Sequence, residues 1–160
     1  MSRHGIVLSV GLAVGIALPA VAQDFALQVG PPVAGNGQAS KSSLLVVRPG
    51  GCADPAGAKI TSTAEGIVNG ARRSVPLKLS ALPTPGVHAI PKDWLKGGVW
   101  IVNLVGTCAG KTAGALVSVV GPNAEYHREA VKHLTHSATP AEIDASLKAL
   151  DESASNVRKK

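Results

Sequence analysis

Three features of the chain point to a mainly β fold: an antiparallel β-sandwich of about seven strands with a C-terminal helical segment. Short alternating or continuous apolar stretches recur between residues 24 and 121. Gly, Pro, Asn and Asp separate them at close intervals, the pattern of short strands joined by tight turns. Beyond residue 122 the chain becomes polar and charged, with apolar residues at helical spacing.

The expected elements follow in order. "FALQV" and "SSLLVVR" read as strands, with the loop "GPPVAGNGQASK" between them. "AKITSTAEGIV" is rich in Thr and Ile and ends at Asn69-Gly70, a pair suited to the positive φ angles of a tight hairpin. The chain returns as "RRSVPLKL", where Val75, Leu77 and Leu79 share one face. Pro76 cannot donate a ladder hydrogen bond, which assigns this strand to a sheet edge. "ALPTPGVHAIP" holds a proline-marked turn and a short strand. "GGVWIVNLVG" is apolar at nearly every position, as a strand covered on both faces requires, and "AGALVSVVG" is its expected antiparallel partner.

In the last segment Thr139 and Glu142 have capping-box spacing and Pro140 suits the first helical position. Ile143, Leu147 and Leu150 then fall on one face, predicting a helix over 140–152. A second helix or an extended arm is expected over 124–134, and a disordered tail over 154–160. The domain reading is a leader at 1–22, a sandwich domain at 23–122, a helical segment at 123–153 and the tail.

The leader rests on "MSRHGIVLSVGLAVGIALPAVAQD": a basic start at Arg3, an apolar run over residues 6–18, then small residues at Ala20 and Ala22. These are the parts of a secretory signal peptide cleaved after Ala22. The run of about 13 apolar residues is shorter than the roughly 20 needed to span a bilayer. No later stretch is long or apolar enough, so no membrane span is expected after cleavage.

Loss of residues 1–22 removes Arg3 and leaves 15 Lys and Arg against 10 Asp and Glu, a net charge of +5. The charges are scattered apart from Arg72-Arg73 and the terminal "VRKK". With only two Trp, one Tyr and one Phe to stack on bases, nucleic acid is not an expected partner.

Export places Cys52 and Cys108 where disulfides persist, and two cysteines allow one intramolecular pairing. A bridge closing a loop of about 57 residues stabilises a fold by about 4 kcal/mol in the chain-entropy model. The alternatives are two free thiols or a thiolate metal site, although the closely spaced ligands of structural zinc are missing.

"NLVGTCAGKT", residues 103–112, imitates a phosphate-binding loop. A Walker A loop has four residues between its first Gly and the Gly-Lys pair, with a helix after it. Here three residues separate Gly106 from Gly110, and a strand-like "AGALVSVV" follows. The stretch reads instead as a hairpin between two core strands, with Lys111 in solvent.

His127, His133 and His136, with His88 apart from them, are candidate ligands for Cu or Zn. Only His133 and His136 have a spacing that shares a helical face, and the competing reading is exposed polar residues. The chain lacks Gly-x-Ser-x-Gly and His-Glu-x-x-His motifs. Asp54, Glu65 and Asp93 are isolated from one another, so no catalytic residue is assigned and a non-enzymatic protein is expected. Trp100 is expected in the core, and Trp94 half exposed beside Lys92, Asp93 and Lys96.

The order Cys52, Trp100, Cys108 is that of an immunoglobulin domain. Trp100, however, stands just before the second cysteine rather than soon after the first. The expected sandwich is therefore immunoglobulin-like in architecture, without membership of that family. The runs "GCADPAGAKITSTAEGIVNGARRSVPLKL", "PTPGVHAI", "GGVWIVNLVGTC" and "PAEIDASLKAL" resemble small bacterial exported β-sandwich proteins of unassigned function. That resemblance implies a secreted or periplasmic sandwich with a helical tail and supplies no catalytic residue.

The functional expectation is an exported, non-enzymatic binding or accessory module of the bacterial envelope. The face of Ile143, Leu147 and Leu150 either packs back on the sandwich, the cheaper arrangement, or holds a protein partner, with Trp94 as a further contact. The alternative is a periplasmic transition-metal protein using the three histidines. Cleavage after Ala22 predicts that chain recovered from the envelope of an expressing bacterium begins at Gln23. Intact mass and N-terminal sequencing check this, and a retained Met1 or Ser2 would refute it.

Overall fold

Nine strands form among the described residues, rather than about seven. In the computed structural model, which describes residues 24–32, 42–121, 123–124 and 126–158, they are β1 (Ala26–Gly30), β2 (Ser43–Gly50), β3 (Lys59–Val68), β4 (Ala71–Leu77), β5 (Ser80–Ala81), β6 (His88–Pro91), β7 (Val99–Cys108), β8 (Lys111–Val120) and β9 (Val131–Leu134). The additional two are β5 and β9, each too short to show a hydrophobic period. The predicted leader at 1–22 lies outside the described residues.

The strands make two antiparallel sheets, ordered β1-β2-β6-β5 and β4-β3-β7-β8-β9. Without β9, this is the A-B-E-D and C′-C-F-G order of an immunoglobulin-type sandwich. β4 lies at a sheet edge, where Pro76 costs no ladder bond. Two hairpins are closed by two-residue turns with both residues at positive φ: Asn69-Gly70 (52° and 76°) and Ala109-Gly110 (49° and 78°). The second is the imitation phosphate loop, and it joins β7 to β8 through the pair Cys108 and Lys111.

Alternation along β7 sends side chains into two apolar layers. Trp100, Val102 and Leu104 face the four-stranded sheet, where they meet Leu27, Leu45, Val47 and Ile90. Val99 and Ile101 face the other way and are covered by a helix. β8 divides similarly, with Ala113, Ala115, Val117 and Val119 inside the sandwich and Leu116 under the helix.

Trp100 lies over Gly66 of β3, its direct cross-strand neighbour; any Cβ at position 66 would collide with the indole. Its Nε1–H donates to the Lys96 carbonyl at 3.1 Å, and Trp94 packs against it edge-on with ring centroids 5.4 Å apart. Trp94 in turn donates to the Pro91 carbonyl at 2.7 Å. Trp94 is thus half-buried, as expected, and packs against the core.

Cys52 follows β2 and Cys108 ends β7; they are joined, with Cα atoms 6.0 Å apart. The bridge ties one sheet to the other at the same end of the sandwich. In the C-terminal segment one expectation resolves to its extended form and one needs correction. The described residues of 124–134 hold no α-helix: a single 3₁₀ turn (Arg128–Ala130) leads into β9, which pairs with β8. The helix α1 runs over Pro140–Arg158, five residues into the expected tail. Ala154 and Val157 continue its apolar stripe, and neither Gly nor Pro interrupts it there.

The disulfide closes its loop from the end of one sheet to the end of the other. The double variant Cys52→Ala, Cys108→Ala is expected to lose about 4 kcal/mol of stability in the chain-entropy account. Urea denaturation of the oxidised protein against the variant reads this directly.

Candidate functional site

Helix α1 crosses the outer face of the five-stranded sheet, and its placement decides which surface remains open. Its start is fixed by the capping box foreseen in the sequence. The Glu142 N–H donates to Thr139 Oγ1 at 3.3 Å, while Glu142 Oε2 accepts from the Thr139 N–H at 2.9 Å and its hydroxyl at 3.0 Å. His136 Nε2 stands 3.2 Å from the same carboxylate oxygen. The backbone hydrogen bond from Thr139, then His136, then the Thr139 hydroxyl hold the Glu142 carboxyl down at about 2. A second anchor lies further along: Arg72 of β4 donates to Asp144 at 2.6 Å and to Glu65 of β3 at 3.3 Å, and Ser74 donates to Glu65 at 2.6 Å. These groups are largely exposed, so they orient the helix more than they stabilise it.

Ile143 and Leu147 are buried against Val99, Ile101 and Leu116. Burying two such side chains is worth about 1.5–3 kcal/mol each. Of the two arrangements open to this face in the sequence, Ile143 and Leu147 take the first and pack on the protein's own sheet. Leu150 is only partly covered, and beyond it the contact loosens. The stripe shrinks from Leu150 to Ala154, while the floor beneath carries Gly98 and Gly121, which have no side chains to fill the gap.

The result is an open groove of about 450 Å³ between the last turns of α1 and the adjoining ends of β7 and β8, lined chiefly by Val99, Val120, Leu150, Ala154 and Val157. Ser153, also on its wall, turns its hydroxyl back to the Ala149 carbonyl at 2.9 Å, which leaves the lining almost wholly apolar. Val120 is 50% exposed and Val157 76%, and both stand on this groove. The floor residues were visible in the sequence only as the end of a hairpin. Val157 lay in the presumed tail, and nothing in the period alone placed it beside Val120.

The histidines do not come together. β9 alternation puts His133 on the sandwich side with Val131, and Leu134 on the helix side. His136 pairs with Glu142 on the helix side, and His127 precedes the 3₁₀ turn, 3.8 Å from Glu129. His88 sits in β6. Among the described residues no three His, Cys, Asp or Glu side chains lie close enough to hold a metal ion, so the Cu or Zn expectation gains no support. The carboxylates stay apart as well: Glu65 binds Arg72 and Ser74, and Asp54 accepts from the Gly57 N–H at 3.2 Å.

The depressed Glu142 carboxyl predicts a pH effect of definite sign. Its contribution to helix attachment is complete above the ordinary carboxylate value of 4.5 and is lost as pH falls from there through about 2. The urea midpoint measured from pH 5 to 2 should fall more steeply for the parent than for Glu142→Gln, which keeps the cap acceptor but does not titrate. Equal slopes would show that the capping carboxylate has no part in acid stability.

No protein-family model, no curated protein and no solved structure matches the chain.

Proposed function

We propose that the chain is an exported, non-catalytic binding module of the bacterial envelope, and that it engages an apolar part of a partner protein through the groove at the end of α1. The observation that carries this reading is the groove itself. Val120 and Val157 open to water on one concave, nearly polar-free surface, and clustered exposed apolar groups of this kind mark interaction sites on soluble domains. Export is supported by the leader pattern and by the disulfide, which persists in oxidising compartments. No helix among the described residues is long and apolar enough to cross a membrane.

The groove's character is tested with the dye ANS, which fluoresces when it enters apolar sites. The native oxidised protein is expected to bind the dye saturably, and Val120→Asp with Val157→Asp is expected to abolish the signal while leaving the urea midpoint nearly unchanged. Dye binding that survives the double substitution would remove the groove from consideration as a binding surface.

A further inference from the structure

We propose that the outer face of the four-stranded sheet, on the far side of the molecule from α1, carries a binding site for small carboxylates built around Arg48. The site is independent of the helix-end groove and shares no residue with it.

Arg48 on β2 and Gln28 on β1 are direct cross-strand neighbours. Arg48 Nε–H donates to Gln28 Oε1 at 2.7 Å. Gly50 leaves room for this arrangement: a Cβ there would stand 2.6 Å from Gln28 Nε2, so a side chain at position 50 would displace the amide from its place across the strand. The bond to Gln28 thus engages the Nε edge of the guanidinium and leaves its Nη groups to meet something else. Among the described residues they meet no carboxylate, because no ion pair includes Arg48. The chain between Asp24 and Asp54 contains no Asp or Glu at all, so neighbouring sequence supplies no acid either.

Beside the guanidinium lies a trough of about 470 Å³, with Val46, Val87 and Pro31 as apolar lining and Thr84 at its rim. The Val87 N–H donates to the Thr84 carbonyl at 3.1 Å, which fixes the turn that forms the wall. This volume lies within the range of about 300–1,000 Å³ typical of small-molecule sites, where a mostly apolar lining meets a few convergent polar groups. A planar fork of N–H donors matches a carboxylate in two parallel hydrogen bonds. The apolar trough next to it matches a short hydrocarbon body. The ligand class is a small monocarboxylate with an apolar chain or ring.

The test is an NMR titration of the oxidised protein with hexanoate, and with 1-hexanol as its uncharged counterpart. Hexanoate should move the amide signals of Val46, Arg48, Thr84 and Val87 saturably. Hexanol should bind at least about tenfold more weakly, and Arg48→Gln should weaken hexanoate by a similar factor, as expected for hydrogen bonds to a charged group. Arg48→Lys should fall between, keeping the charge without the fork. Gln28→Ala should weaken hexanoate while leaving hexanol unchanged, since Gln28 acts by positioning Arg48. Equal affinity for hexanoate and hexanol would overturn the proposal, as would full hexanoate affinity in Arg48→Gln or no saturable shift at these amides. The hexanoate and hexanol comparison needs no variant, so it decides the matter even where a substitution disturbs folding.

Discussion

The ten residues of β7 form the wall between two apolar layers, because a strand turns successive side chains to opposite faces and here both faces are covered. Trp100, Val102 and Leu104 complete the sandwich interior, and Val99 and Ile101 hold the helix. The rest of the molecule depends on this double burial. A one-residue slip of β7 against β3 would lift Trp100 off Gly66 and drive it into the helix layer, so the glycine and the indole set register together.

The disulfide acts on the same strand from its other end. Cys108 closes β7 and Cys52 follows β2, so the bridge links the shared wall to the opposite sheet. At the end of β7 nearer Val99, the indoles of Trp94 and Trp100 meet edge-on, and their N–H groups are satisfied by backbone carbonyls. Both ends of the sandwich are thus tied, one covalently and one by aromatic packing. The two candidate sites lie on the outer faces of the sheets.

Those outer faces differ in how they are finished. The helix seals one with Ile143 and Leu147, is oriented by Glu142 at its start and Arg72 on its flank, and then runs out of bulk at Ala154. An apolar groove remains because the helix covers Val99 but is too thin at Ala154 to cover Val120 as well. On the other face Arg48 pairs across strands with Gln28, and among the described residues no ion pair includes its guanidinium.

Much of this was legible in the sequence. Seven strands, the hairpin at Asn69-Gly70, the edge position of Pro76, the doubly covered strand and the Thr139–Glu142 cap all follow from local rules, since period, turn chemistry and capping act over a few residues. The cysteine pairing follows from there being only two. What tertiary structure alone decided is what happens between distant segments. β9 is four residues of half-polar chain that become a strand only because the free edge of β8 accepts them. The stripe of Ile143, Leu147 and Leu150 looks the same in sequence whether it faces a partner or the protein itself; the uncovered Val99 and Ile101 turned it inward. Of the three histidines, close along the chain, His133 and His136 were set on opposite sides of the sheet and His127 before the 3₁₀ turn. The sites at Val120 with Val157, and at Gln28 with Arg48 and Gly50, each join residues that are far apart along the chain, and only the pairing of strands and the seating of the helix bring them together.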